Sequence, residues 1–168
     1  MEIIGELRQT QLDELLSEVA GLHDRWHIEE SLCKRHRYRV QIYDADFDTI
    51  LINSSMQERD LDLSEYPPLR EVIDSIAKEA AFLSKENRFG KLNGIRVRTL
   101  YTEFVVSGGK PRQFFIVDRD FYPGMNPRGL FYVRDGMHRL VAYGLATQMN
   151  RNAFPITGYY STNKENGT

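Results

Sequence analysis

The run Leu130-Phe131-Tyr132-Val133 has the aromatic and β-branched character of a strand. Only Arg134, Asp135 and Gly136 separate it from Met137, Leu140, Val141 and Leu145, four apolar residues at helical spacing. A strand that passes so directly into a helix must break at Asp135-Gly136, where glycine accepts backbone angles that other residues resist. The helix must then lay its apolar face back on the sheet. This segment therefore commits the chain to a sheet with at least one packed helix.

The other elements follow from period and punctuation. Leu12, Leu15, Leu16 and Val19 form a helical stripe that Thr10 can cap, with Asp13 in the first turn and Gly21 as a stop. The stretch from His23 to Arg37 carries no assignable pattern. Tyr38, Val40 and Ile42 alternate with Arg39 and Gln41, which reads as a half-buried strand. Asp44-Ala45-Asp46 reads as a turn and Thr49 to Ile52 as a return strand, together a hairpin. Pro67-Pro68 opens a helix with Leu69, Val72, Ile73, Ile76, Ala77, Ala80 and Leu83 on one face, ending near Asn87. Ile95 to Val106 and Gln113 to Asp118 read as strands from their β-branched and aromatic content, with a turn at Ser107 to Lys110. Met125 to Gly129 reads as a loop, Met137 to Gln148 as a helix, and Phe154 to Tyr160 as the last strand. Pro155 suits an edge or the start of that strand. Helices and strands mix without regular alternation, so the expected class is α+β, a small mixed sheet flanked by helices.

Size and charge bound what such a fold can do. The 168 residues suit one domain, and 41% hydrophobic with 27% charged residues supports a packed core. The formal net charge of −2 provides no global field toward DNA or an anionic membrane. Cys33 is the single cysteine, so a disulfide scaffold is excluded and a cytoplasmic setting is expected. The N-terminus lacks the pattern of a signal peptide. No apolar run approaches the roughly 18 residues of a membrane span, and no membrane partner is expected. The polar residues 161–168 are expected to form a flexible tail.

The Asp135-Gly136 turn also carries the chemistry. His138 and Arg139 fall in the first turn of the following helix, where free N–H groups and the helix dipole favour an anion. Glycine would let the anion approach the backbone, arginine would grip two phosphate oxygens, and histidine would donate to phosphate or move a proton. The bland alternative makes Asp135 only an N-cap and Gly136 only a turn residue. Against it, two cationic side chains at a helix start call for a balancing anion.

Asp-Gly-x-His-Arg-Leu-x-Ala, at Asp135 to Ala142, resembles the signature of the ParB/sulfiredoxin-like superfamily. Lys110-Pro111-Arg112-Gln113-Phe114-Phe115-Ile116-Val117-Asp118 is similar to the strand before that signature, and Phe154 to Gly158 to the strand after it. The helix Leu69 to Leu83 resembles the one that the family places before its sheet. The resemblance implies a core over 66–160 within a single domain 1–160, with 1–60 as an N-terminal elaboration. It implies a nucleotide pocket with Gly136, Met137, His138 and Arg139 around the phosphates of a nucleoside di- or triphosphate such as ATP. Sulfiredoxins carry a catalytic cysteine where this chain has Met137, and a thioether cannot serve as a thiolate nucleophile. Segregation proteins of the family have glutamate at the same position and continue into a helix-turn-helix domain. What remains resembles the stand-alone, enzyme-like members.

Phosphoryl transfer also needs a metal or a base. His138, Asp135 and Asp118 are the candidate catalytic groups, and Mg²⁺ is the expected metal. Asp118 and Asp120 either share a strand face as metal ligands or are solvated turn residues; Glu103 lies on an earlier expected strand. The expected function is a nucleotide-dependent phosphotransferase or hydrolase, with a small molecule as second substrate. The alternative is a ParB-like nuclease or a non-catalytic DNA-binding module. Nucleic acid is the less favoured partner, resting on Lys34 to Arg39 with Arg96 and Arg98. Lys110, Arg112, Arg128 and Arg134 flank the pocket in sequence, as further phosphate contacts or as plain surface. His23, His27, Cys33 and His36 are residue types that bind zinc, but their order matches no standard finger.

Overall fold

The computed structural model describes residues 1–18, 25–52, 66–78, 88–89, 92–106, 113–118, 129–150 and 155–164. Its centre is a mixed sheet of six strands: β1 (Glu2–Glu6), β2 (His36–Ile42), β3 (Ile50–Leu51), β6 (Phe115–Asp118), β7 (Phe131–Asp135) and β8 (Ile156–Thr162). They lie in the order β1-β2-β8-β6-β7-β3. The β6–β8 and β3–β7 pairs are parallel and the other three antiparallel. A separate two-stranded ladder joins β4 (Arg88–Phe89) to β5 (Leu92–Asn93). The class is α+β, as expected.

Helices cover both faces of the sheet. On one side α1 (Gln9–Glu18) and α2 (Arg25–Leu32) place Leu12, Leu15, Ile28 and Leu32 against Phe115 and Tyr159. On the other lie α3 (Leu69–Lys78), α4 (Gly94–Val106) and α5 (Met137–Asn150), which enclose the main core. There Leu69, Val72, Ile73 and Ile76 meet Leu140, Val141 and Leu145 over Val40, Ile42, Ile116, Val133 and Ile156. Each of these side chains is buried, and each contributes about 1.5–3 kcal/mol relative to exposure.

Several expectations hold. β2, β6, β7 and α5 form where period and composition place them, and α3 does so over Leu69–Lys78, while Ala80, Leu83 and the expected end near Asn87 lie outside the described residues. Pro155 sits just before β8, which is an interior strand. The helix expected from Thr10 forms as α1, although Thr10 lies inside it rather than capping it; Gly21 lies outside the described residues.

Three expectations are corrected, and one unassigned stretch is resolved. Ile95 to Val106 is the helix α4, because Val97, Leu100, Tyr101 and Phe104 pack on the main core at helical spacing. The hairpin does not form. After β2 the chain enters a 3-10 turn at Asp44–Asp48 that buries Phe47, and β3 then pairs with β7 at the far edge of the sheet. Arg70 of α3 fastens this turn, donating to both Asp44 carboxylate oxygens at 2.9 and 3.0 Å with its guanidinium 5.3 Å from the Phe47 ring centre. Ser161 and Thr162 are buried in β8 rather than in a tail, and residues 165–168 lie outside the described part. The unassigned stretch after His23 contains α2. The turn at 107–110 and the loop at 125–128 lie outside the described residues.

Residues 1–52 supply three of the six strands, so the N-terminal segment is part of the sheet and not only an addition to it.

Candidate functional site

β7 ends at Asp135, Gly136 turns the chain, and α5 begins at Met137. The Leu140 N–H donates to the Gly136 carbonyl at 2.9 Å, so Gly136 is the N-cap and Asp135 precedes it. Gly136 has φ +90°, a region that side chains with a Cβ rarely adopt. A Cβ there would lie 2.8 Å from the Phe114 Cβ and 3.1 Å from Arg139 Nη2. The space left by the missing side chain is thus filled by Phe114 and by the Arg139 guanidinium. Phe114 also lies across Gly158 of β8, where an added Cβ would be 2.5 Å from its ring. One fully buried ring therefore sets the distance between the turn and the sheet.

The expectation of a balancing anion has an answer inside the chain. Arg139 folds back over Gly136 and its Nη2 donates to Asp135 Oδ2, an ion pair between the strand end and the first turn of the helix. The two side chains are only 19% and 26% exposed, so the pair is partly shielded from water. Arg139 Nε is buried and has no hydrogen-bond partner among the described residues.

His138 lies beside this pair. Burial pushes its pKa down to about 4, the positive charges of Arg96 and Arg139 push the same way, and Asp135 opposes them. The ring is therefore neutral at pH 7. Arg96 belongs to α4, which packs alongside α5. Met137, where the resemblance puts a nucleophile, packs partly buried against the main core.

The structure does not bring Asp118 to this turn. In the β6–β7 register Phe115 faces Asp135 and Asp118 faces Phe131, which puts Asp118 and Asp135 at opposite ends of the ladder. The Asp118 carboxylate accepts hydrogen bonds from the Tyr160 hydroxyl at 2.7 Å and from the Thr162 hydroxyl. It ties the ends of β6 and β8 together. Asp120, Lys110, Arg112 and Arg128 lie outside the described residues. Arg134 points to the α2 face, where it pairs with Glu30 and sits 5.4 Å from the Trp26 ring centre. Glu103 is exposed on α4.

The proposed zinc residues are not gathered among the described atoms. Cys33 is exposed after α2, His36 lies in β2 with Nδ1 at 3.9 Å from Glu6, and His23 and the His27 side chain lie outside the described part. Among the described residues no three metal-binding side chains cluster, and no helix is long and apolar enough to cross a membrane.

Comparison with protein-family models, with curated proteins and with solved structures finds no match for this chain.

Proposed function

We propose that this chain binds a nucleotide by its phosphates at the Asp135–Arg139 turn, as a ParB/sulfiredoxin-like protein, and transfers or hydrolyses a phosphate there. One observation carries the reading: Arg139, Arg96 and the amino end of α5 direct positive potential at His138, which stays neutral. A helix start and the Arg139 guanidinium beside a partly buried neutral ring suit a ligand that brings its own negative charge and takes over Arg139 from Asp135.

In this reading the first-turn N–H groups of α5 and Arg139 hold phosphate oxygens. His138, neutral before the ligand arrives, accepts a proton from the attacking group; the incoming phosphate charge raises its basicity. Mg²⁺ suits sites with one or two carboxylates plus phosphate oxygens, and Asp135 is the described carboxylate at the turn. Asp135 would hold the ion, which neutralises charge on the transferred group when bound. Asp118 has no part in this, being committed at the other end of the sheet.

Thermal shift with ATP, ADP, CTP and GTP, with and without Mg²⁺, tests the reading. A nucleotide at 100 times its Kd stabilises the chain by about 2.7 kcal/mol. The expected result is one nucleotide that stabilises wild type and not Arg139→Ala. No shift with any nucleotide overturns the reading and moves the search to the DNA-binding alternative, whose affinity would fall steeply with salt.

A further inference from the structure

The contact between Asp135 and Arg139 is incomplete. An arginine grips a carboxylate or phosphate best along one edge of its guanidinium, with Nε–H and one Nη–H donating in parallel. In this structure Nη2 donates to Asp135 Oδ2. Nε is buried and has no partner among the described residues. Asp135 therefore fills half of a two-pronged fork.

The half-filled fork has a geometric cause. Asp135 is the last residue of β7 and Arg139 lies in the first turn of α5, with Gly136 at φ +90° between them. The Asp135 backbone is held in the β6–β7 ladder opposite Phe115. Phe114 packs against Gly136 from below. The carboxylate reaches Arg139 from a fixed strand end. A phosphate is not tethered in this way, and it presents several oxygens from which to serve both donors.

We propose that Asp135 is a built-in competitor for the anion site, occupying the Arg139 fork until a phosphate group displaces it. The inference rests on the phosphate-site reading above and adds its regulation. The carboxylate keeps Arg139 folded over Gly136 and shields the turn from weakly bound anions. A ligand that serves both Nε and Nη2 releases Asp135, which is then free to hold a metal ion brought in with the phosphates.

Titration calorimetry with inorganic pyrophosphate, in EDTA so that no metal contributes, tests this on the full chain. Asp135→Asn keeps the shape and removes the charge. It should bind pyrophosphate at least about tenfold tighter than wild type. Asp135→Ser should do the same, which covers the case in which one variant folds poorly. Arg139→Gln and the double variant Asp135→Asn/Arg139→Gln should bind more weakly than wild type and equally to each other, because Asp135 acts only through Arg139. Binding to Asp135→Asn with none to wild type also supports the proposal. If Arg139→Gln weakens binding but neither Asp135 variant tightens it, the phosphate site stands and the competitor is overturned. If no form binds pyrophosphate, both readings are overturned.

Discussion

His138 is a neutral histidine among cations, and that has a measurable consequence. Its folded pKa of about 4 lies below the ordinary 6.5, with burial as the largest cause. Between those values the unfolded chain binds more protons than the folded one, so stability falls as pH drops from about 6.5 toward 4 and then levels off. The shift corresponds to at most about 3–4 kcal/mol. His138→Gln should flatten this part of the curve, as measured by urea unfolding at pH 7, 5.5 and 4. An equal pH slope in the variant would mean that another group titrates. Asp135 and Gly136 show which part of a turn is written locally and which part comes from afar. The positive φ that makes Gly136 obligatory is a local property, and the Asp-Gly pair announces it. What fills the space beside that glycine comes from Phe114, 22 positions earlier, and no local pattern shows it.

Helix α4 is the element on which propensity and packing disagree. Its β-branched and aromatic residues suggest a strand, in which Ile95 and Val97 would share a face. In the helix they separate: Ile95 is 51% exposed and Val97 1%. Val97→Ala should therefore cost about 1.5–3 kcal/mol, and Ile95→Ala should change stability by no more than about 0.5 kcal/mol. Equal losses in chemical denaturation would support the strand. The helical reading was open to sequence inspection, since Val97, Leu100, Tyr101 and Phe104 lie at intervals of three, one and three residues. Composition and period conflict in this segment, and a strand assigned on composition leaves Arg96 outside the site. By contrast α3 and α5 carry apolar stripes strong enough to agree with their packing. They cross closely at Gly144, where an added Cβ would lie 2.0 Å from Ile73 Cδ1.

Across the whole molecule, the antiparallel β6–β7 pair separates two jobs that the sequence places near each other. Asp135 stands at the turn, and Asp118 at the other end of the same ladder, bound by Tyr160 and Thr162. Removing the Asp118 carboxylate leaves a buried tyrosine hydroxyl without its acceptor. Asp118→Ala should destabilise the chain by about 1–3 kcal/mol while leaving the nucleotide-induced thermal shift unchanged. A variant that stayed folded but lost the shift would return Asp118 to the phosphate site. The Tyr160 hydroxyl is held above its ordinary pKa by burial and by this carboxylate, so it stays a donor throughout the neutral range.

From its sequence alone the chain specifies the α+β class, the strands β2, β6 and β7, the helices α3 and α5, and the strand–turn–helix that brings His138 and Arg139 to a helix start. These depend on neighbours within a few residues, whose period and turn chemistry are written in order. Tertiary structure alone decides that β3 leaves β2 for β7, because Phe47 buries in the intervening turn and Arg70 clamps it from α3. It also decides that Asp118 closes the far end of the sheet, that the charge of Arg96 comes near enough to lower the pKa of His138, and that Asp135 answers the charge of Arg139. Strand pairing, burial and charge contacts act between residues distant in sequence, and only the folded chain brings such residues together.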